Sequence, residues 1–370
     1  MSLRRWLYKV HYYTGLMSGI CMLLIGLSGS ILVYFNELER AVNPSLYNLD
    51  VDQERFSYDS IYHFVASKYH DGFVNISMNV PRTNHEVVSF TLVRATHDNT
   101  TNPYFLVSVN PYTLEVMRQG SYSSISTSFM HWILLFHDSM HLGKVGLLIV
   151  ACIGLIMFIS ITSGIYIYGK NITAVIFFRL KLRRNTGAGR LRIVHRYVGV
   201  WAVMFNIVVF GTGFWMLRGM FTSDAWAKDV VQKNYTVVNT QLDSCILKTQ
   251  YAFDDIQVGI VNFPESDSGQ LVVSGHRESA NPFFASCYCY FNQRTSRLEE
   301  TYCVADDEFS SKLEDSIWDL HTGSFGGHLV KTIYVLGGLT PGILSLTGFL
   351  VWSRKRGRPK RSLGRLVRDV

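Results

Sequence analysis

Two histidines occupy the same local frame far apart in the chain. His11 in "LYKVHYYTGL" and His195 in "LRIVHRYVGV" both sit in a Val-His-x-Tyr-x-Gly pattern, 184 residues apart. A second pair keeps the same offset: His137 in "FHDSMHLGKVG" and His321 in "LHTGSFGGHLV". Imidazole serves as a general acid or base, a hydrogen-bonding group or a metal ligand. One histidine at the edge of an apolar run is ordinarily an interfacial side chain, whereas two pairs at one offset call for a common task.

Imidazole suits iron, and one imidazole on each face of a porphyrin closes the metal to further ligands, a state suited to electron transfer. Gly15 and Gly199 follow their histidines by one helical turn, on the same face, where a missing side chain lets a flat macrocycle approach. Close helix packing in a membrane would equally select those glycines. Two other readings of the four histidines remain: interfacial hydrogen bonding, and transit of a bare metal ion. The second needs more ligands per site, and no Asp or Glu lies in the apolar segments to supply them.

Four stretches, at about 11–34, 144–168, 196–217 and 332–352, are apolar over the roughly 20 residues a bilayer requires. They read as four membrane-spanning helices. The first has a basic start like a secretion signal, yet its apolar run is too long and lacks a small-residue cleavage site, so it reads as an uncleaved anchor. Segments 1–10, 169–196 and 353–370 carry 19 of the 35 Lys and Arg and one acid, Asp369, whereas 35–143 and 218–331 hold the other 27 Asp and Glu. The positive-inside rule then places both termini and the basic 169–195 loop in the cytoplasm, and the two large segments outside. The net charge of +7 is a sum of opposed halves and does not mark a nucleic-acid binder. The tail "RKRGRPKRSLGR" reads as a topology signal against anionic lipid.

The shared offset extends to Gly143 with Gly327 and Gly164 with Gly348. The fold class expected is an integral membrane protein of four transmembrane helices in two tandem repeats, each repeat carrying a small α+β domain outside. In that arrangement the repeats are related by an axis along the membrane normal. His11 then faces His195 near the cytoplasmic surface, and His137 faces His321 near the outer one, as in cofactor sites built between facing helices.

Secondary candidates are His131 and His141, near His137, and His328; none has a histidine at offset 184. His63, His70, His85, His97 and His276 fall in the outside segments and read as solvated. Cys21 and Cys152 lie in spanning helices and read as small buried residues. Cys245, Cys287, Cys289 and Cys303 suggest up to two disulfides in an oxidising compartment, with pairing unreadable. The Cys-x-Cys in "FFASCYCYFNQ" sits in a strand-like run, which favours disulfides over metal.

The motifs "VHYYTG", "VHRYVG", "FHDSMHLG" and "LHTGSFGG...LTGFLVW" resemble those of the PepSY-associated transmembrane helix proteins, the group that contains bacterial inner-membrane ferrisiderophore reductases. "VSVNPYTLEVM" is similar to the closing hairpin of a PepSY domain, with Asn110 and Leu114 departing from the usual Asp-Pro-Tyr-Thr-Gly. The resemblance implies a multi-pass protein of the bacterial inner membrane holding two b-type haems. It implies electrons passed outward to the iron of a ferric siderophore or other ferric chelate, with release of Fe(II). A cytoplasmic reductase or a membrane quinol is the expected donor, since no Gly-rich dinucleotide fingerprint follows a strand-like run. Two alternatives stay open: a PepSY-type binding or peptidase-inhibitor protein without redox activity, and a metal permease.

Overall fold

Long apolar runs satisfy their backbone groups internally by forming helices. The structure is a computed structural model that describes residues 2–51, 53–95, 98–179, 187–226, 234–266 and 268–356. His97, part of the basic loop and most of the basic tail lie outside those residues. The helices are α1 (Leu3–Leu32), α2 (Phe35–Val42), α3 (Tyr58–Lys68), α4 (Phe129–Ser139), α5 (Gly143–Tyr168), α6 (Ile172–Ile176), α7 (Gly187–Trp201), α8 (Val203–Leu217), α9 (Leu242–Ala252), α10 (Phe309–Thr322), α11 (Gly327–Gly338) and α12 (Thr340–Arg356). The strands are β1 (Phe73–Asn79), β2 (Val88–Arg94), β3 (Tyr104–Val109), β4 (Val116–Ser121), β5 (Ile256–Asn262), β6 (Gln270–Arg277), β7 (Ser286–Asn292) and β8 (Leu298–Cys303).

Four helical stretches are long and apolar enough to cross a membrane: Leu3–Leu32, Gly143–Ile176, Val203–Phe221 and Ser324–Arg354. Each expected span falls on one of them, although α1 begins at Leu3 rather than at residue 11. Between α11 and α12 the helix is interrupted beside Pro341, which has no N–H to donate.

The chain divides into two compact units, one of Met1–Ser30, Cys152–Phe214 and Thr332–Val370, the other of Ile31–Ala151 and Trp215–Lys331. In the first, the helices meet through small residues, as membrane helices do. A Cβ at Gly26 would lie 2.6 Å from Gly338 O, and Ser30 Oγ donates to Val335 O at 3.1 Å. These contacts join α1 to α11. Helix α8 meets α11 through Phe205 and Tyr334, whose rings are 5.1 Å apart.

The second unit carries a single eight-stranded antiparallel sheet in the order β4-β3-β2-β1-β5-β6-β7-β8. The strands of the two outside segments, each expected to form a small α+β domain, are thus joined edge to edge. Alone, each four-stranded half would present β1 or β5 as an open edge, and pairing those edges removes both. The join is short: Ser77 with Asn262, Met78 with Val261 and Asn79 with Ile260. It is reciprocal as well, since Val80 N donates to Gly259 O at 2.9 Å and Phe263 N to Ile76 O at 3.4 Å.

Helices α3 and α9 begin 184 residues apart and pack into one core with the sheet, through Ile61, Tyr62 and Val65 on one and Leu242, Cys245 and Ile246 on the other. Their first turns are tied together: Leu242 N donates to Asp59 Oδ1 at 2.9 Å and Asp59 N to Asp243 Oδ2 at 3.4 Å. Helix α4 contributes Leu135 to a smaller cluster with Leu106 and Tyr122.

The cysteines form one disulfide, Cys287–Cys303, directly across β7 and β8, while Cys245 and Cys289 are buried free thiols. Cys289 faces Thr301 rather than a cysteine, which is why the Cys-x-Cys pair divides.

Candidate paired-imidazole sites

His11 on α1 and His195 on α7 have ring centroids 6.3 Å apart, with planes crossed at 80°. Their Nδ1 atoms have matching partners. His11 Nδ1 lies 2.8 Å from Ser160 O, and His195 Nδ1 lies 3.1 Å from Leu344 O and 2.9 Å from Thr347 Oγ1. A carbonyl only accepts, so each Nδ1 carries the proton, which leaves Nε2 as the nitrogen with a free lone pair. Donation from the distal nitrogen to a backbone carbonyl is how ligating histidines are fixed in tautomer and orientation.

The glycine at the first of these contacts leaves less room to spare than the one at the second. Gly164 follows Ser160 by one turn, and a Cβ there would come within 3.1 Å of His11 Cε1; at Gly348, one turn after Leu344, the distance to His195 Cε1 would be 3.7 Å. The sequence shows these glycines only as markers of the offset, because the ring that needs the space belongs to a different helix. Gly15 and Gly199 behave otherwise. A Cβ at either meets nothing closer than 4.0 Å (Ser160 Oγ) or 3.6 Å (Leu344 Cδ2), so helix contact does not demand a glycine at these positions.

In the second unit, His137 on α4 and His321 on α10 have ring centroids 6.2 Å apart and planes inclined at 53°. Both lie in the last turn of their helices, where the aligned carbonyl dipoles favour a cationic centre. Ser128 caps the start of α4, its Oγ accepting from His131 N at 3.3 Å. Gly323, in the left-handed region at φ 73°, ends α10.

The secondary histidines lie elsewhere. His141 does not continue the His137 face: α4 stops at Ser139, and Met140 and His141 adopt φ of 50° and 61°, turning the His141 ring against Trp132 at 4.8 Å. His131 closes a buried polar network. Arg118 donates to Glu39, Ser128 Oγ donates to Glu39 Oε2 at 3.1 Å, and His131 Nδ1 donates to Ser128 Oγ at 2.9 Å. Burial, and secondarily the Arg118 charge, push the His131 imidazole down to about 3. His328 stacks on Tyr34 with centroids 6.0 Å apart. His63, His85 and His276 are exposed, whereas His70 is half-buried and its Nε2 lies 3.0 Å from Tyr235 O. Asp138, beside His137, escaped sequence reasoning: burial raises its carboxyl to about 6, and its Oδ1 is buried with no hydrogen-bond partner among the described residues.

Two imidazoles on opposite sides of one metal, each at about 2.0 Å with the ring centre roughly 1.1 Å further out, stand about 6.2 Å apart centre to centre. Both pairs meet this distance, at 6.3 and 6.2 Å. Among the described residues no group of three or more His, Cys, Asp or Glu is placed to hold a metal ion. Two imidazoles alone underfill a bare transition ion, but they complete an iron whose four equatorial positions are filled by a porphyrin. In donor type and centre-to-centre spacing the two pairs fit bis-imidazole haem.

Four apolar helices together with an antiparallel sheet define a multi-pass membrane protein. The family model for the PepSY-associated TM region matches residues 8–355, and the chain belongs to that family. No curated protein sequence matches it.

Proposed function

We propose that this protein is a di-haem electron carrier of the bacterial inner membrane that reduces ferric iron outside the cell membrane, with a ferric siderophore or similar chelate as substrate. Its two b-type haems would be held by His11 with His195 and by His137 with His321. The observation that carries this reading is the recurrence of one ligand-type spacing, 6.3 and 6.2 Å, in two pairs that share a single sequence offset. Haem held by two imidazoles takes up and gives up single electrons without opening a coordination position.

The remaining work falls to the chain. Ser160 O and Leu344 O hold the His11 and His195 rings in one tautomer, and Gly164 leaves room for the His11 ring. Two such stations answer a barrier about 30 Å thick. We assign the His11–His195 pair to the cytoplasmic side and the His137–His321 pair to the outer side. The concentration of Lys and Arg in the termini and the 169–196 loop supports that assignment, and places the donor, a reductase or a quinol, on the basic side. The matching starts of α3 and α9, 184 residues apart, support a tandem duplication of helix, outside segment and helix.

The test is the optical spectrum of detergent-purified protein. The reading requires b-type bands and a pyridine haemochrome content near two per chain. Colourless, folded protein would turn the reading toward a binding role.

A further inference from the structure

His11 and His195 share a frame in the sequence, and their surroundings match only in part. Each ring bonds through Nδ1 to a backbone carbonyl, Ser160 O for His11 and Leu344 O for His195, and those two acceptors keep the 184-residue offset. A hydroxyl stands one residue before each of Gly164 and Gly348, on Ser163 and on Thr347, again at that offset. Their distances to the rings differ. Thr347 Oγ1 lies 2.9 Å from His195 Nδ1, whereas Ser163 Oγ lies 3.5 Å from His11 Nδ1 and Ser160 Oγ 3.4 Å from it.

A hydroxyl has one proton to give, and in both repeats it goes to the helix backbone. Thr347 Oγ1 donates to Ile343 O at 2.7 Å, with Leu344 O at 3.1 Å, and Ser163 Oγ donates to Ser160 O at 2.9 Å. Thr347 therefore turns a lone pair toward His195 Nδ1, the nitrogen that carries the ring proton, and accepts from it. The His195 N–H is shared between a carbonyl and a hydroxyl that is itself polarised by donating, a chain of bonds that strengthen one another. Thr347 is buried, so solvent does not compete for that proton.

We infer that Thr347 is a positioning residue for His195: its hydroxyl takes a share of the Nδ1 proton, fixes the rotation of the ring within the pair crossed at 80°, and makes the imidazole a more basic ligand. The inference rests on the haem reading of this pair. A more basic ligand favours ferric over ferrous iron, so the hydroxyl lowers the potential at which the site accepts an electron. The proton stays on Nδ1 in both oxidation states.

Potentiometric titration of the visible bands, on full-length protein in detergent, tests this. The bands missing from His195→Ala identify the haem to follow. Thr347→Val removes the acceptor and keeps the branched shape. The midpoint of that haem should rise, so that at the wild-type midpoint its reduced form exceeds its oxidised form by roughly threefold or more, as loss of one hydrogen bond implies. The other haem should keep its midpoint. Thr347→Ser, which retains the hydroxyl, should restore the wild-type value, and Ser163→Ala should leave both midpoints in place. Loss of the haem from Thr347→Val but not from Thr347→Ser would support the same role. Unmoved midpoints in Thr347→Val would overturn the inference. So would an equal rise in Thr347→Ser, or haem loss from both variants, since packing rather than the hydroxyl would then be at work. Wild-type protein without b-type bands would overturn the haem reading itself, whereas b-type bands with unmoved midpoints would remove this inference alone.

Discussion

Gly164 gives His11 its place. A Cβ at that position would stand 3.1 Å from His11 Cε1 and 3.3 Å from Nδ1, the atom bonded to Ser160 O one turn earlier. The equivalent distance at Gly348 is 3.7 Å, ordinary contact. Gly164→Leu should therefore expel the ring and bring the haem content from two per chain toward one, while Gly348→Ala should keep both. Two haems with unshifted bands in Gly164→Leu would refute the role given to this glycine.

The His131 imidazole, held down to about 3 in the folded chain against an ordinary 6.5, gives acid lability with a definite sign. Below pH 6.5 the unfolded chain takes up a proton that the folded chain refuses, so folding stability falls as pH drops, by up to about 1.4 kcal/mol per unit, until about pH 3. Asp138 acts in the opposite direction. Its folded carboxyl is raised to about 6, so its contribution is lost as pH rises through that value. Comparing wild type with His131→Phe isolates the histidine: the loss of melting temperature between pH 7 and pH 5 should be smaller in the variant. An identical or larger loss would contradict the assignment.

Breaking the Arg118–Glu39 pair from one side should be costly, because both side chains are more than nine-tenths buried. Arg118→Leu leaves an uncompensated carboxylate beside Ser128, and a destabilisation of about 3–5 kcal/mol is expected. Thermal unfolding followed by circular dichroism measures it, and an unchanged transition would show that Glu39 finds another partner.

Cysteine labelling checks the sheet. Denatured, unreduced protein should present four reactive thiols, those of Cys21, Cys152, Cys245 and Cys289, with one linked peptide pair joining Cys287 to Cys303. A linked pair containing Cys245 or Cys289 would require a different register of β7 on β8.

Much of this was legible in the sequence. The four spans are readable because a bilayer demands long apolar runs, and the two imidazole pairs because His11, His195, His137 and His321 share one offset. What stayed hidden is tertiary. "ITSG" and "SLTG" show nothing of the histidines they cradle, because the ring comes from another helix. The pairing of Met78 with Val261 could not be read either, since an edge strand and an inner strand alternate alike. Cys287 and Cys289 differ only in what faces them on β8, a matter of register. His141 looked like an alternative to His137 one turn away, until Met140 and His141 left the helix with positive φ.

Outward electron flow is a separate expectation. Sealed vesicles of known orientation, given reductant on the side of the basic segments, should reduce an impermeant ferric chelate on the opposite side. Equal rates in vesicles lacking the protein would remove it from the reaction.

The central claim is that two imidazole pairs hold two haems independently, and counting haem in single-histidine variants tests it most directly. His195→Ala and His321→Ala should each retain one haem per chain, with complementary losses in the spectrum, the double variant should retain none, and His141→Ala should keep two. Loss of both haems in either folded single variant, or of neither, would contradict it.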